Sequence, residues 1–188
     1  NQFVLLNTAT RQTSEALSGS LLPLVTHELV HASQHARTPL GDWFGEAKTL
    51  DASLARRIAL EGEAELAAVV ALSGARAVEA LRRQAAPTQI EAMLAGELNA
   101  WIYHAGRKLA AYRHSEGGLD AVRETWESPP ATSEQALHTL KLGQDTPARV
   151  RIPAIDNTRA VAQTAFGELM IFQLMRLLKI APTEASIA

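Results

Sequence analysis

Leu24-Val25-Thr26-His27-Glu28-Leu29-Val30-His31-Ala32-Ser33-Gln34-His35 holds two imidazoles and a carboxylate at helical spacing. It lies inside a segment, Ser14 to about Ala36, that reads as one long helix with Pro23 as a kink or boundary. At about 100° per residue, His27, His31, Glu28 and Gln34 fall within an arc of about 120°, one face of one helix. His27 and His31 are one turn apart, so both rings reach a single metal ion, and Glu28 lies beside them where it can take a proton from water. His35 falls near the same face and reads as a residue of the rim.

Working outward, alanine and leucine dominate and strand-like runs are scarce, so the expected fold is mainly α, a single helical domain spanning residues 1–188 with at most a small β element. The weak strand candidates are residues 3–6 and 150–152. A loop is expected from Arg37 to Thr49, around Pro39, Gly41 and Gly45, then a helix from about Asp51 to Leu72 that continues or restarts through Arg83. Pro87 suits the first turn of a third helix reaching about His114, ended by Gly117-Gly118. A short helix to about Trp126 follows, then one capped by Thr132 or Ser133 and running through Lys141, and a last one from about Asn157 to Ile180.

The chain has 188 residues, with 18 Lys and Arg against 20 Asp and Glu, and no cysteine. A net charge of −2 gives no electrostatic footprint for nucleic acid or an anionic membrane surface. Without cysteine there is no disulfide scaffold, thiolate zinc site, iron–sulfur cluster or cysteine nucleophile. No apolar run reaches the ~18 residues a membrane span requires.

A catalytic zinc site needs a third protein ligand and an open fourth position. The segment Glu61-Gly62-Glu63-Ala64-Glu65 supplies candidates. Leu54, Ile58, Val69 and Leu72 form an apolar stripe, and Glu61 and Glu65 fall inside it while Glu63 points the opposite way. Carboxylates in an inward stripe are costly unless paired or bound to a metal. Gly62 fits a place where another backbone, such as that of the His27–His31 helix, packs closely.

His27-Glu28-x-x-His31 followed by Glu61-Gly62-x-Ala64 resembles the gluzincin zinc peptidases. The resemblance is closer to a group of bacterial H-E-x-x-H proteins with further blocks, matched here by Pro129-Pro130 through Ser133-Glu134-Gln135 to His138 and by Gly167-Glu168-Leu169. It implies a zinc-dependent metallopeptidase acting on a peptide or protein substrate, with Zn2+ held by His27, His31 and Glu61 and Glu28 as general base. It further implies Glu65 and Gln34 as partners orienting the ligand rings, and a secreted or periplasmic location after signal removal. Leu142 stands where the group carries tyrosine, leaving His138 to steady the oxyanion, with Glu134 or Gln135 positioning it. The rival reading from these departures is a catalytically inactive relative that binds or scaffolds a partner. A di-iron bundle would need a second Glu-x-x-His pair besides Glu28–His31, and the sequence has none. His104 and His114 belong to no motif, and Trp43, Trp101 and Trp126 read as core or rim residues.

Overall fold

Thr49, in extended conformation, accepts a hydrogen bond from the Ala52 backbone N–H on its hydroxyl and so starts the helix on which the others pack. The computed structural model describes residues 14–74, 76–83, 98–146, 156, 159 and 164–180. Seven α-helices occur among them: α1 Ser14–Arg37, α2 Leu40–Gly45, α3 Leu50–Ser73, α4 Arg76–Arg83, α5 Leu98–Glu127, α6 Ser133–Leu137 and α7 Glu168–Leu177, with a 3-10 turn at Thr139–Lys141. The described residues contain no strand, and residues 3–6, 150–152 and Pro87 lie outside them. No described helix is long and apolar enough to cross a membrane.

The helix α3 is central because it is apolar on several sides. Leu54, Ile58 and Ala59 pack with Trp101, Ile102, Ala105 and Leu109 of α5, and Leu169 and Phe172 of α7 close that core. Further along, Leu66 joins Val78 of α4 and Ala110, Ala111 and Val122 of α5 in a second cluster. On its opposite side α3 packs against α1, which runs through Pro23 as one helix.

Two glycines let α3 and α5 touch backbone to backbone. A Cβ on Gly106 would sit 2.6 Å from the Ile58 carbonyl oxygen and 2.7 Å from the Gly62 nitrogen, and one on Gly62 would overlap the Gly106 carbonyl. The partner of Gly62 is therefore α5 and not the histidine helix.

As the sequence reading expects, Gly117-Gly118 breaks α5: both residues leave helical conformation, and a short helical arm follows. Gly118 has φ 67° and ψ −152°, a conformation open only to glycine, and the arm 119–127 turns back from the arm 98–116. Trp126 on the returning arm stacks on Trp43 at 4.5 Å between ring centroids, and Trp43 donates to the Trp126 carbonyl oxygen. The expected loop after α1 therefore contains a short helix, α2, whose buried Trp43 belongs to the core.

The C-terminal part departs from the sequence reading. Thr132 does cap α6, but that helix ends at Leu137, and α7 begins at Glu168, with residues 164–167 non-helical. The buried carboxylate of Asp51 ties the two helix starts together. Its Oδ1 accepts from the Ser133 hydroxyl (2.5 Å) and backbone N–H (3.2 Å), and the Ser133 hydroxyl in turn accepts from the Leu169 N–H. Gly167 lies so close to that carboxylate that any side chain there would collide with it. Three helix starts meet on one negative charge, the sign their dipoles favour.

Candidate metal centre

The helix α1 carries His27 and His31 toward α3, and α3 presents Glu61 from its buried side, 7% exposed. His27 Nε2 and His31 Nε2 are 3.0 Å apart, and each lies 3.2–3.3 Å from Glu61 Oε2. Like-polarity atoms gather this closely only around a cation or a shared proton.

The outer nitrogens fix what these inner atoms are. Gln34 is fully buried and donates its amide hydrogens to the Leu60 carbonyl (3.0 Å) and to Glu63 Oε2 (3.0 Å). Its Oε1 is therefore an acceptor facing His31 Nδ1 at 2.7 Å, so Nδ1 carries the proton and Nε2 keeps its lone pair. His27 Nδ1 lies 3.3 Å from Glu65 Oε1, which selects the same tautomer, and Arg107 Nε stands 3.3 Å from the other Glu65 oxygen. With both rings neutral in this tautomer, two imidazole lone pairs and a carboxylate oxygen converge on one point. Glu61 Oε2 is correspondingly a buried oxygen with no hydrogen-bond partner of acceptable geometry.

These residues fit a metal ion. Ligand bonds of about 2.0–2.2 Å in a tetrahedral array place neighbouring donors about 3.3–3.6 Å apart, within a few tenths of an ångström of the spacings here. His27, His31 and Glu61 are the one group of metal-ligating side chains of this kind among the described residues. Two nitrogens and one carboxylate leave a fourth position open.

Without a metal, a proton takes its place. Once protonated at Nε2, His31 donates to Glu61, and that hydrogen bond raises the His31 pKa, with burial opposing and Gln34 and the charges of Glu61 and Glu28 assisting. Burial alone would push the Glu61 carboxyl up, but the hydrogen bond from His31 and the charges of His31, His27 and Arg57 hold it below its ordinary value.

A cleft of about 370 Å³ lies beside this centre and reaches it at His27. Pro23, Leu24, Ala68, Val69 and Leu72 form its apolar walls. His27, Glu28, Glu65 and Tyr103 supply the polar groups, and Glu28 is exposed there. The Tyr103 ring lies 5.9 Å from that of His27. Burial, and then the charge of Glu61 against an opposing Arg57, raises the Tyr103 pKa, so its hydroxyl stays protonated through the neutral range.

The structure thus brings together His27, Glu28, His31, Gln34, Glu61 and Glu65. It places His138 differently. Its Nε2 lies 2.9 Å from both Glu168 oxygens, and His138 does not line the cleft. Glu134 pairs with Lys141, and Gln135 serves the Ala131 N–H and the Asp145 carbonyl, so both act within their own loop. His35 is exposed and takes the Leu40 N–H. Glu63, expected in solvent, is mostly covered and accepts from Gln34, Arg37 and Trp126. Tyr103 and Arg107 carry no motif, and the only signal for them is their spacing of four on one helix face. No known family model matches the chain, and no curated protein or solved structure matches it either.

Proposed function

We propose that this protein is a zinc-dependent hydrolase that cleaves peptide bonds, with His27, His31 and Glu61 holding the metal. The observation that carries the proposal is the inward convergence of two lone-pair nitrogens and the orphaned Glu61 oxygen at 3.0–3.3 Å. Two histidines and one carboxylate are a ligand set of catalytic zinc, which supplies Lewis acidity toward a carbonyl and acidifies water toward neutrality.

The chain's own groups supply the rest. Glu28, on the cleft one residue from His27, takes a proton from the attacking water and returns it to the leaving amine. Tyr103, kept protonated, donates its hydroxyl to the carbonyl oxygen as negative charge develops there. Glu65 and Gln34 hold the ligand rings in one tautomer. The apolar walls offer a surface on which a chain segment can lie. The choice of peptide as substrate rests on the resemblance of the H-E-x-x-H and E-G-x-A segments to gluzincin peptidases.

The test pairs metal analysis with cleavage of an unfolded protein. The parent chain should carry about one zinc, and Glu28→Gln should retain it while losing about 10²- to 10⁴-fold in turnover. Turnover that survives the substitution removes Glu28 from the mechanism. A parent that binds zinc and cleaves nothing favours the binding or scaffolding role, and iron as the resident metal would favour a redox centre.

A further inference from the structure

The Glu63 carboxylate stands between two helices and the returning arm of α5. Its Oε2 accepts from Trp126 Nε1 at 2.7 Å, from Gln34 Nε2 at 3.0 Å and from Arg37 at 2.8 Å, and its Oε1 accepts from Arg37 at 2.9 Å. Trp126 is held in turn by its stacking on Trp43 and by the hydrogen bond from Trp43 to its backbone. The far end of this network is the metal site, because Gln34 Oε1 faces His31 Nδ1.

The direction of the Gln34 amide decides where the His31 proton sits. As found, its NH2 group meets two acceptors and its oxygen meets the ring N–H. Turned over, its NH2 would face Nδ1, which would then have to accept, and the ring proton would move to Nε2, where the ligand lone pair is needed. The Leu60 carbonyl favours the observed orientation with one hydrogen bond, and the Glu63 Oε2 acceptor adds a second. Glu63 keeps a fixed place because the indole from across the Gly117-Gly118 bend and the guanidinium of Arg37 both donate to it.

We infer that Glu63, steadied by Trp126, is a positioning residue that acts through Gln34 to set the tautomer of His31 and thereby the affinity of the site for a divalent metal ion. The affinity part rests on the metal-centre reading, whereas the tautomer can be read with no metal present.

The experiment uses the full chain with 15N-labelled histidine, metal-free and at a pH where both imidazoles are neutral. Long-range proton–nitrogen correlation identifies which His31 nitrogen is protonated, and zinc affinity is measured separately by competition with a chromophoric chelator. The parent should show the Nδ1–H form. Glu63→Met, which removes every acceptor, should populate Nε2–H and weaken zinc binding by about 10- to 100-fold. Glu63→Gln can keep its oxygen toward Gln34 and Trp126 and turn its NH2 toward half-exposed Arg37, so it should stay close to the parent in both readouts. An unchanged tautomer in Glu63→Met overturns the inference, and so does equal loss in the Met and Gln variants, which would assign the effect to charge. Should Glu63→Met not fold, Trp126→Phe keeps a stacking ring but removes the indole donor, and should move both readouts the same way by less; no movement overturns the role of Trp126. A parent with the Nδ1–H tautomer and no affinity for zinc would support the control of the tautomer and overturn the metal reading.

Discussion

Replacing Gly106 by alanine should destabilise this protein, although the same change in an open helix position is expected to stabilise it by about 1 kcal/mol. The added Cβ would meet the Ile58 carbonyl oxygen at 2.6 Å and the Gly62 nitrogen and Cα at 2.7 and 2.9 Å. All three are backbone atoms and cannot rotate aside. Ordinary contact begins near 3.4 Å, so α3 and α5 must part by about 0.8 Å, the difference between 3.4 and 2.6 Å. A gap of that size forfeits about a quarter to a half of the dispersion energy of the atoms it separates. Ile58, Ile102, Ala105 and Leu109, each at most 1% exposed, line the two helices there. Overpacking of this kind costs about 1–3 kcal/mol, and a backbone obstacle belongs at the upper end. After subtraction of the helical gain, a net loss of about 2 kcal/mol remains, or a fall in Tm of roughly 4–8 °C for a chain of this size. Urea and thermal unfolding of the metal-free protein measure it. Gly62→Ala should behave alike, and the double variant should lose less than the sum because one separation relieves both clashes. A Gly106→Ala protein as stable as the parent, or more so, would refute the account of the α3–α5 contact.

Glu61→Ala should weaken zinc binding by more than about 100-fold, beyond the range of an outer partner, as read by chelator competition. Tyr103→Phe should leave zinc bound and lower kcat by about 10²- to 10³-fold with KM little changed; an unaltered kcat would remove the hydroxyl from the mechanism. Zinc must displace the proton from His31, so its apparent affinity should fall as pH drops through the raised His31 pKa, with about one proton released per ion in calorimetry. In the metal-free protein the His31 contribution to stability is complete below the unfolded imidazole value and is lost as pH rises through the raised folded value. That of Glu61 is present above the unfolded carboxyl value and is lost as pH falls through the depressed one, so metal-free stability should peak between the two.

The half of the site that lies on single helices could be read from the sequence, because a helix wheel needs only spacing. His27, His31, Glu28 and Gln34 share one face of α1, and the apolar stripe of α3 marks Glu61 and Glu65 as inward. What the wheel cannot supply is the neighbour on the other side. Glu63 points away from that stripe, and nothing in its own helix says that the chain bends at Gly118 and returns an indole to cover it. Tyr103 reaches the cleft because α5 packs on α3 at a glycine pair about 44 residues apart, a long-range contact invisible to local periodicity. The start of α7 is likewise tied by a long-range contact. Its first turn answers to Asp51, more than a hundred residues earlier, and so does the coil that leads Gly167 past that carboxylate.

The bend in α5 gives one continuous segment two grips on α3. The arm before it bears Tyr103 and Arg107, and the arm after it bears Trp126. The separation between these jaws is governed by two consecutive glycine torsions, which makes α5 a calliper closed around the carboxylates of its neighbour. Lengthening or straightening that short joint would loosen His27 and His31 at once, one through Glu65 and the other through Glu63 and Gln34, without altering any side chain of the candidate centre.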